Sequence, residues 1–305
     1  MATAGADRFD HGDQLRGRSL LAYDQGRNRR RNRDAAVPAA RGGFTRRVNG
    51  SPVWFDTHSH LYDVEDEVDE VLDRARAAGV NGVVTLGVDV TTSRRCAQIA
   101  AAHDGVWAGA AYHPSETQGW HASWIADIEV IAQDPNVVAI GETGLDYHWD
   151  RSFVGSQQRG FAAHIGLAKR LGKALVIHTR DSVREALDIL NHAGPPERLA
   201  FHCWTGETDD LKDALELGAY ISFAGNISYK SAPELREAAR LVPEDRLVVE
   251  TDSPYLAPEP HRGKPNEPAY VAAVGGAVAA ARDQDVEAVA ATSTRNARRL
   301  FALDE

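Results

Sequence analysis

The sequence predicts an α/β fold, a single-domain (β/α)8 TIM-type barrel behind a disordered N-terminal extension, on three observations. Eight apolar runs of strand length follow one another after residue 52. Helical patterns separate them, as the βα units of a parallel sheet require. The eight units occupy about 250 residues, the usual size of a TIM-type barrel, whereas a doubly wound open sheet usually has fewer strands.

The first run, 53–58, leads into Phe55-Asp56-Thr57-His58-Ser59-His60. Side chains alternate along a strand, so His58 and His60 project to the same side and can grip one ion. Val64, Val68, Val71, Leu72 and Ala75 then recur at helical spacing, and Gly79 supplies a stop. The second run, 80–88, is followed by a helix over 92–103, and the third, 106–113, ends on His113 before Pro114. A helix over 121–133 leads to the fourth run, 137–142, which ends on Glu142. The helix over 156–171 precedes 174–178 and His178; that over 182–192 precedes 199–202 and His202. Helices over 208–217 and 233–240 flank 219–223, and the eighth run, 247–252, ends on Asp252. Two more helical patterns, 268–281 and 284–301, complete the chain, with no tandem repeat or internal linker between. The expected domains are therefore a basic tail over 1–50 and a barrel over 51–305.

Charge is unevenly spread. Residues 1–50 hold eleven arginines and five aspartates, a surplus of six positive charges, so a chain total of −10 leaves −16 on residues 51–305. An acidic body excludes a broad non-specific grip on nucleic acid; such chemistry must rest on a local site. The tail has few large apolar residues and no packing period, which predicts disorder. Arg29-Arg30-Arg31 is not followed by the apolar stretch of an export signal, since Asp34, Pro38, Arg41 and Gly43 interrupt it. A basic nucleic-acid-binding arm and a translation start further downstream, at Val48 through a non-AUG codon, are both compatible with it. Cys96 and Cys203 are the only cysteines, and no apolar run approaches the roughly 20 residues that span a bilayer. The expectation is a cytoplasmic protein, without a membrane and without an obligate protein partner. No apolar stripe demands a second copy, so it is expected to be a monomer.

Potential ligands collect where the runs end. In a barrel the carboxyl ends of all strands share one face, so His58, His60, Glu142, His178, His202 and Asp252 converge on one mouth. Each alone has an ordinary reading: Glu142 as a loop cap, His178 or His202 as a bonded core histidine, Asp252 as the start of a turn. Four histidines and two acids, each at a strand end, are hard to obtain by chance. Six ligands exceed one tetrahedral ion and suit two divalent ions bridged by a carboxylate. Glu142 is the natural bridge, with His58, His60 and Asp252 on the first ion and His178 and His202 on the second. Two ions about 4 Å apart activate water and polarise a phosphoryl group, which is hydrolytic chemistry. Imidazoles favour Zn2+ or Mn2+, while carboxylates and phosphoryl oxygens suit Mg2+.

The motifs in order are Phe55 to Leu61, Ala111-Tyr112-His113-Pro114, Ile140 to Tyr147, Val176 to Arg180, Phe201 to Gly206, Glu250 to Leu256 and Arg262 to Pro268. Together they resemble the TatD family of metal-dependent deoxyribonucleases, within the amidohydrolase-like barrels, over essentially all of 53–301. The resemblance implies a divalent-metal phosphodiesterase with 3′ to 5′ exonuclease or DNase activity, the same six metal positions, and DNA as substrate with RNA ends as a second class. Residues 1–50 have no counterpart in it. Supporting roles fall to His113, which can contact the scissile phosphate or relay a proton, and to Arg180, Arg262 and Lys264, whose cationic groups suit phosphate oxygens. The ordinary alternatives are a histidine fixed in a turn and solvated surface cations. Asp146 and Tyr147 can position the Glu142 loop or bond a ligand histidine. His11, His103, His121, His148, His164 and His192 fall off the motif positions and read as ordinary.

Two rivals share the barrel. An amidohydrolase of cyclic amides or phosphotriesters often bridges its metals with a carbamylated lysine near the fourth strand, where this chain has Glu142 and no nearby lysine. An aminoacyl-tRNA ester deacylase offers a carbonyl to the same two ions. A non-catalytic interaction platform is opposed by the intact ligand set.

Overall fold

The computed structural model describes residues 52–303. The expectations for residues 1–50 lie outside them.

Eight parallel strands run in sequence order: β1 Trp54–Ser59, β2 Val80–Leu86, β3 Val106–Ala110, β4 Val137–Asp146, β5 Ala174–Arg180, β6 Leu199–Phe201, β7 Tyr220–Phe223 and β8 Leu247–Val249. The intervening helices are α1 Val68–Ala77, α2 Val90–Ala102, α3 Trp124–Ile131, α4 Val154–Leu171, α5 Val183–Ala193, α6 Thr208–Glu216 and α7 Pro233–Leu241. After β8 come α8 Val271–Arg282 and α9 Val286–Leu300. The arrangement is the predicted barrel, nearly closed.

Local chemistry sets the helices. In α1 the apolar spacing buries Val71, Leu72 and Ala75, with acids in the first turn and Arg74 and Arg76 in the last, each favourable to the helix dipole. In α2 Asp89 accepts the Thr92 backbone N–H while the Thr92 hydroxyl takes the Asp89 backbone N–H, a reciprocal cap. The helix α4 stops at Gly172 in the left-handed region, φ 61. The helix α8 packs so closely over β1 that a Cβ on Gly275 would stand 2.1 Å from the Trp54 ring.

Phe55, Val84, Leu86, Ala139, Val176, Ala200 and Val248 form one buried cluster, which Leu300 and Phe301 of the C-terminal segment join. The seam between β1 and β8 closes differently. β8 ends at Val249, yet the chain stays beside β1: Asp252 N–H donates to His58 C=O at 2.9 Å and His60 N–H to Ser253 C=O at 2.7 Å. Between them the fully buried Asp56 carboxylate accepts Thr251 N–H at 2.8 Å and the Thr251 hydroxyl at 2.6 Å. Burial pushes the Asp56 carboxyl up to about 8 despite the Thr251 hydrogen bonds, which pull it down. The seam therefore sets two expected ligands, His58 and Asp252, side by side through the main chain.

Several strand ends differ from expectation. β2 stops at Leu86, β3 at Ala110, β6 at Phe201 and β8 at Val249, so His113, His202 and Asp252 lie beyond regular pairing. His113 instead caps a short 3-10 turn, Pro114–Glu116. The opposite holds for the centre of the sheet: β4 continues past Glu142 to Asp146, and β5 past His178 to Arg180, as paired neighbours. Gly144 permits this, since at φ 146 a Cβ there would sit 2.0 Å from the His178 carbonyl oxygen.

Candidate metal centre

The six expected ligands meet at one buried cluster. Glu142 Oε2 lies 3.0 Å from His202 Nε2, 3.4 Å from His178 Nδ1 and 3.6 Å from His58 Nε2, and its Oε1 lies 3.5 Å from His60 Nε2. Asp252 Oδ1 stands 3.4 Å from His60 Nε2 and 3.7 Å from His58 Nε2. The carboxylate at the end of the expected fourth run thus touches all four strand-end histidines, and the second carboxylate touches the first pair.

Neighbouring groups aim the imidazoles. The Leu86 carbonyl takes His60 Nδ1 at 2.9 Å, which leaves Nε2 for the carboxylates. Asp146 Oδ2 lies 3.4 Å from His178 Nε2, in the supporting position expected for it, so His178 offers Nδ1 to the cluster. His202 Nδ1 lies 3.2 Å from Glu250 Oε1, which leaves Nε2. Glu250 is fully buried and also accepts Cys203 N–H at 2.8 Å and the Ser222 hydroxyl at 2.5 Å. Sequence reasoning missed it. The signal was present, because Glu250 and Asp252 repeat at the end of β8 the two-residue spacing of His58 and His60.

His58 supplies the test of whether a cation fits. It is fully buried, and neither ring nitrogen has a hydrogen-bond partner among the described residues. Burial and the neighbouring His202 hold it well below the ordinary histidine value, so it is neutral with an unused lone pair. A buried polar nitrogen without a partner is costly, and a divalent ion satisfies it. The other members bear this out electrostatically. Burial alone would push His60 down, but the hydrogen bond to Asp252 and the charges of Glu142 and Asp252 lift it to about 9. Burial likewise opposes charge on Glu142, yet the charge of His202 and the hydrogen bond to His178 hold it well below the usual carboxylate range. His178 and His202 are raised against burial, His178 by Asp146 and Glu142 and His202 by Glu142 and Glu250. The cluster is an anionic pocket lined with imidazoles, and protons occupy it where a cation would compete. Two of its triads, His58 with His60 and Glu142, and His113 with Glu142 and His178, each bring their ligand atoms within 4.8 Å of one another.

His113 joins the cluster, with its ring edge-on to His178 at 4.4 Å. Its Nδ1 accepts Ser115 N–H at 3.1 Å. Burial and the positive charge of His178 push it down to about 3, so it is neutral and keeps its proton on Nε2. Arg180 is half-buried, its guanidinium 5.3 Å above the Trp149 ring. Arg262 lies over Tyr229 at 4.4 Å and Lys264 is exposed, both in the loop after β8 and neither in contact with the cluster. Tyr147 is buried, with Arg151 5.0 Å above its ring. Of the histidines read as ordinary, His164 is fully buried and accepts Tyr112 N–H at 3.1 Å, so it steadies the segment that carries His113. No helix among the described residues is long and apolar enough to cross a membrane.

Known proteins share these features. The family model of TatD-related DNases matches residues 55–302. An uncharacterized metal-dependent hydrolase of Bacillus subtilis, YabD, is 36% identical over 256 residues, 82% of this chain and 99% of its own length. The 3′-5′ ssDNA/RNA exonuclease TatD of Klebsiella pneumoniae is 34% identical, over 77% of this chain and 92% of its own. Among solved structures, the TatD homologue YjjV of Escherichia coli superposes with a TM-score of 0.78 at 25% identity, covering 82% of this chain and 98% of its own. With a match that spans the barrel and full-length relatives above 30% identity, the chain belongs to the family of TatD-related DNases and is a metal-dependent hydrolase.

Proposed function

We propose that this protein is a divalent-metal-dependent phosphodiester hydrolase that removes nucleotides from single-stranded DNA in the 3′ to 5′ direction, with RNA ends as a second substrate. The observation that carries the reading is the cluster around Glu142, a buried carboxylate within 3.6 Å of four imidazoles, one of them with no hydrogen bond to either ring nitrogen among the described residues. The exonuclease named among the relatives supports the choice of nucleic acid.

His58, His60 and Asp252 would hold one ion, His178 and His202 the second, and Glu142 would bridge them. Divalent ions there supply Lewis acidity, polarising a phosphoryl oxygen and bringing water into its nucleophilic range near neutral pH. Asp252 is the carboxylate available to take the proton of the attacking water, since Glu142 is surrounded by all four imidazoles. His113 donates from Nε2–H to a phosphoryl oxygen, which its neutral state permits. Arg180 and the more distant Arg262 and Lys264 hold flanking phosphates, and bidentate guanidinium geometry suits that task. Asp146 and Glu250 orient His178 and His202 and contact no substrate.

The test supplies the purified protein with Mg2+, Mn2+ or Zn2+ and offers end-labelled single-stranded DNA, single-stranded RNA and aminoacyl-tRNA in parallel. Mononucleotides released stepwise from the 3′ end are expected. Release of free amino acid, with both nucleic acids intact, would replace the phosphodiesterase reading by ester deacylation.

A further inference from the structure

Trp149 is one of four large hydrophobic residues among the described ones that stand exposed, at 42%. The other three, Val130, Leu241 and Val286, belong to helices on the outer layer, whereas Trp149 belongs to the loop directly after β4. That loop is tied to the cluster. Asp146 offers Oδ2 to the His178 ring and accepts His148 N–H on Oδ1 at 2.9 Å, one residue before Trp149. Asp146 and Arg180 are register partners across β4 and β5, and Tyr147 N–H donates to Arg180 C=O at 2.9 Å. The Arg180 guanidinium sits 5.3 Å from the indole centroid and the His148 ring packs against it at 4.6 Å. His148 Nδ1 lies 3.3 Å from Asp181 Oδ2, which holds the imidazole from the far side.

We propose that Trp149 and Arg180 form a nucleotide subsite at the rim of the cluster: the indole stacks on the base beside the scissile bond and the guanidinium binds its phosphate. An exposed indole costs free energy in water and recovers it when an aromatic plane covers it. A nucleobase is such a plane, and its stacking tolerates every base, as removal of successive nucleotides demands. A paired base has both faces already covered by its neighbours, so the subsite selects unpaired strand ends. This inference rests on the phosphodiesterase reading above and adds the reason for single-strand preference. It also gives Arg180 a role that Arg262 and Lys264 do not share, because neither lies against an exposed ring that borders the cluster.

The test uses two single-stranded oligonucleotides that differ only in whether the 3′-terminal residue carries a base or is abasic. Their affinity is read by fluorescence anisotropy with Ca2+ in place of the activating metal, and KM and kcat with the activating metal. The wild type is expected to bind the base-bearing strand about tenfold or more tightly, the scale of one stacked base. In Trp149→Ala that preference disappears through a loss on the base-bearing strand alone, and Trp149→Phe retains most of it. An equal loss on both strands, or no loss, overturns the platform while leaving the nuclease reading intact. If the wild type neither binds nor cuts either strand, the nuclease reading fails first and the platform falls with it.

Discussion

Glu142 carries more of the site than any other side chain, because it alone among the described residues stands within 3.6 Å of His58, His60, His178 and His202. Glu142→Gln keeps the shape and removes the charge that four imidazoles and two cations would share. It is expected to lower kcat by at least about a thousandfold, the scale felt when a charge-stabilising group leaves an active site. Thermal denaturation should show the barrel still folded. Glu250→Gln acts at one remove. It leaves every proposed ligand in place but weakens the anchor on His202, and metal affinity by calorimetry should drop about 10- to 100-fold. The pH dependence of that affinity follows from His60. Asp252 and Glu142 raise it against burial to about 9 without metal, so below this pH an incoming cation must displace a proton and affinity rises between pH 6 and about 9. A flat profile would show that His60 is no ligand. The convergence of the histidines and Asp252 was legible in the sequence because chelating residue types at the ends of successive apolar runs leave a pattern of type and spacing. Glu250 shares with Asp252 the two-residue spacing of His58 and His60, but the partners that give it its role, His202, Cys203 and Ser222, are distant in the chain.

At the level of the elements, the β4–β5 pair is the foundation of the cluster. It continues to Asp146 and Arg180, past Glu142 and His178, because Gly144 lets the two strands approach. Gly144→Ala would drive a Cβ into the His178 carbonyl, a backbone atom that cannot swing aside. It is expected to destabilise the fold by more than about 1 kcal/mol in urea unfolding and to weaken metal binding through His178. Strand number, order and spacing could be read from the chain, since buried parallel strands appear as continuous apolar runs between amphipathic helices. Their ends could not. An apolar run does not distinguish paired from merely extended backbone, so His113, His202 and Asp252 were assigned to strands that stop short of them. The seam was also invisible. Asp56 closes β1 against Thr251, 195 positions away in the sequence, and nothing local to either residue signals it.

The whole molecule combines a barrel whose residues 51–305 carry a surplus of sixteen negative charges with a substrate that is itself anionic. Attraction must therefore come from the metal site and the few cations near the mouth, chiefly Arg180, rather than from a general field. The acidic body and the concentrated cluster are two sides of one arrangement, since buried carboxylates that repel phosphate when empty attract it once divalent ions neutralise them. That makes metal stoichiometry the direct test of the account. Protein stripped with EDTA should be titrated with Mn2+ while bound metal and nucleotide release from single-stranded DNA are followed together. Two ions per chain, with activity appearing as the second binds and Glu142→Gln losing both, is the predicted result. Full activity at one ion per chain, or two ions bound with no nucleotide released, would contradict it.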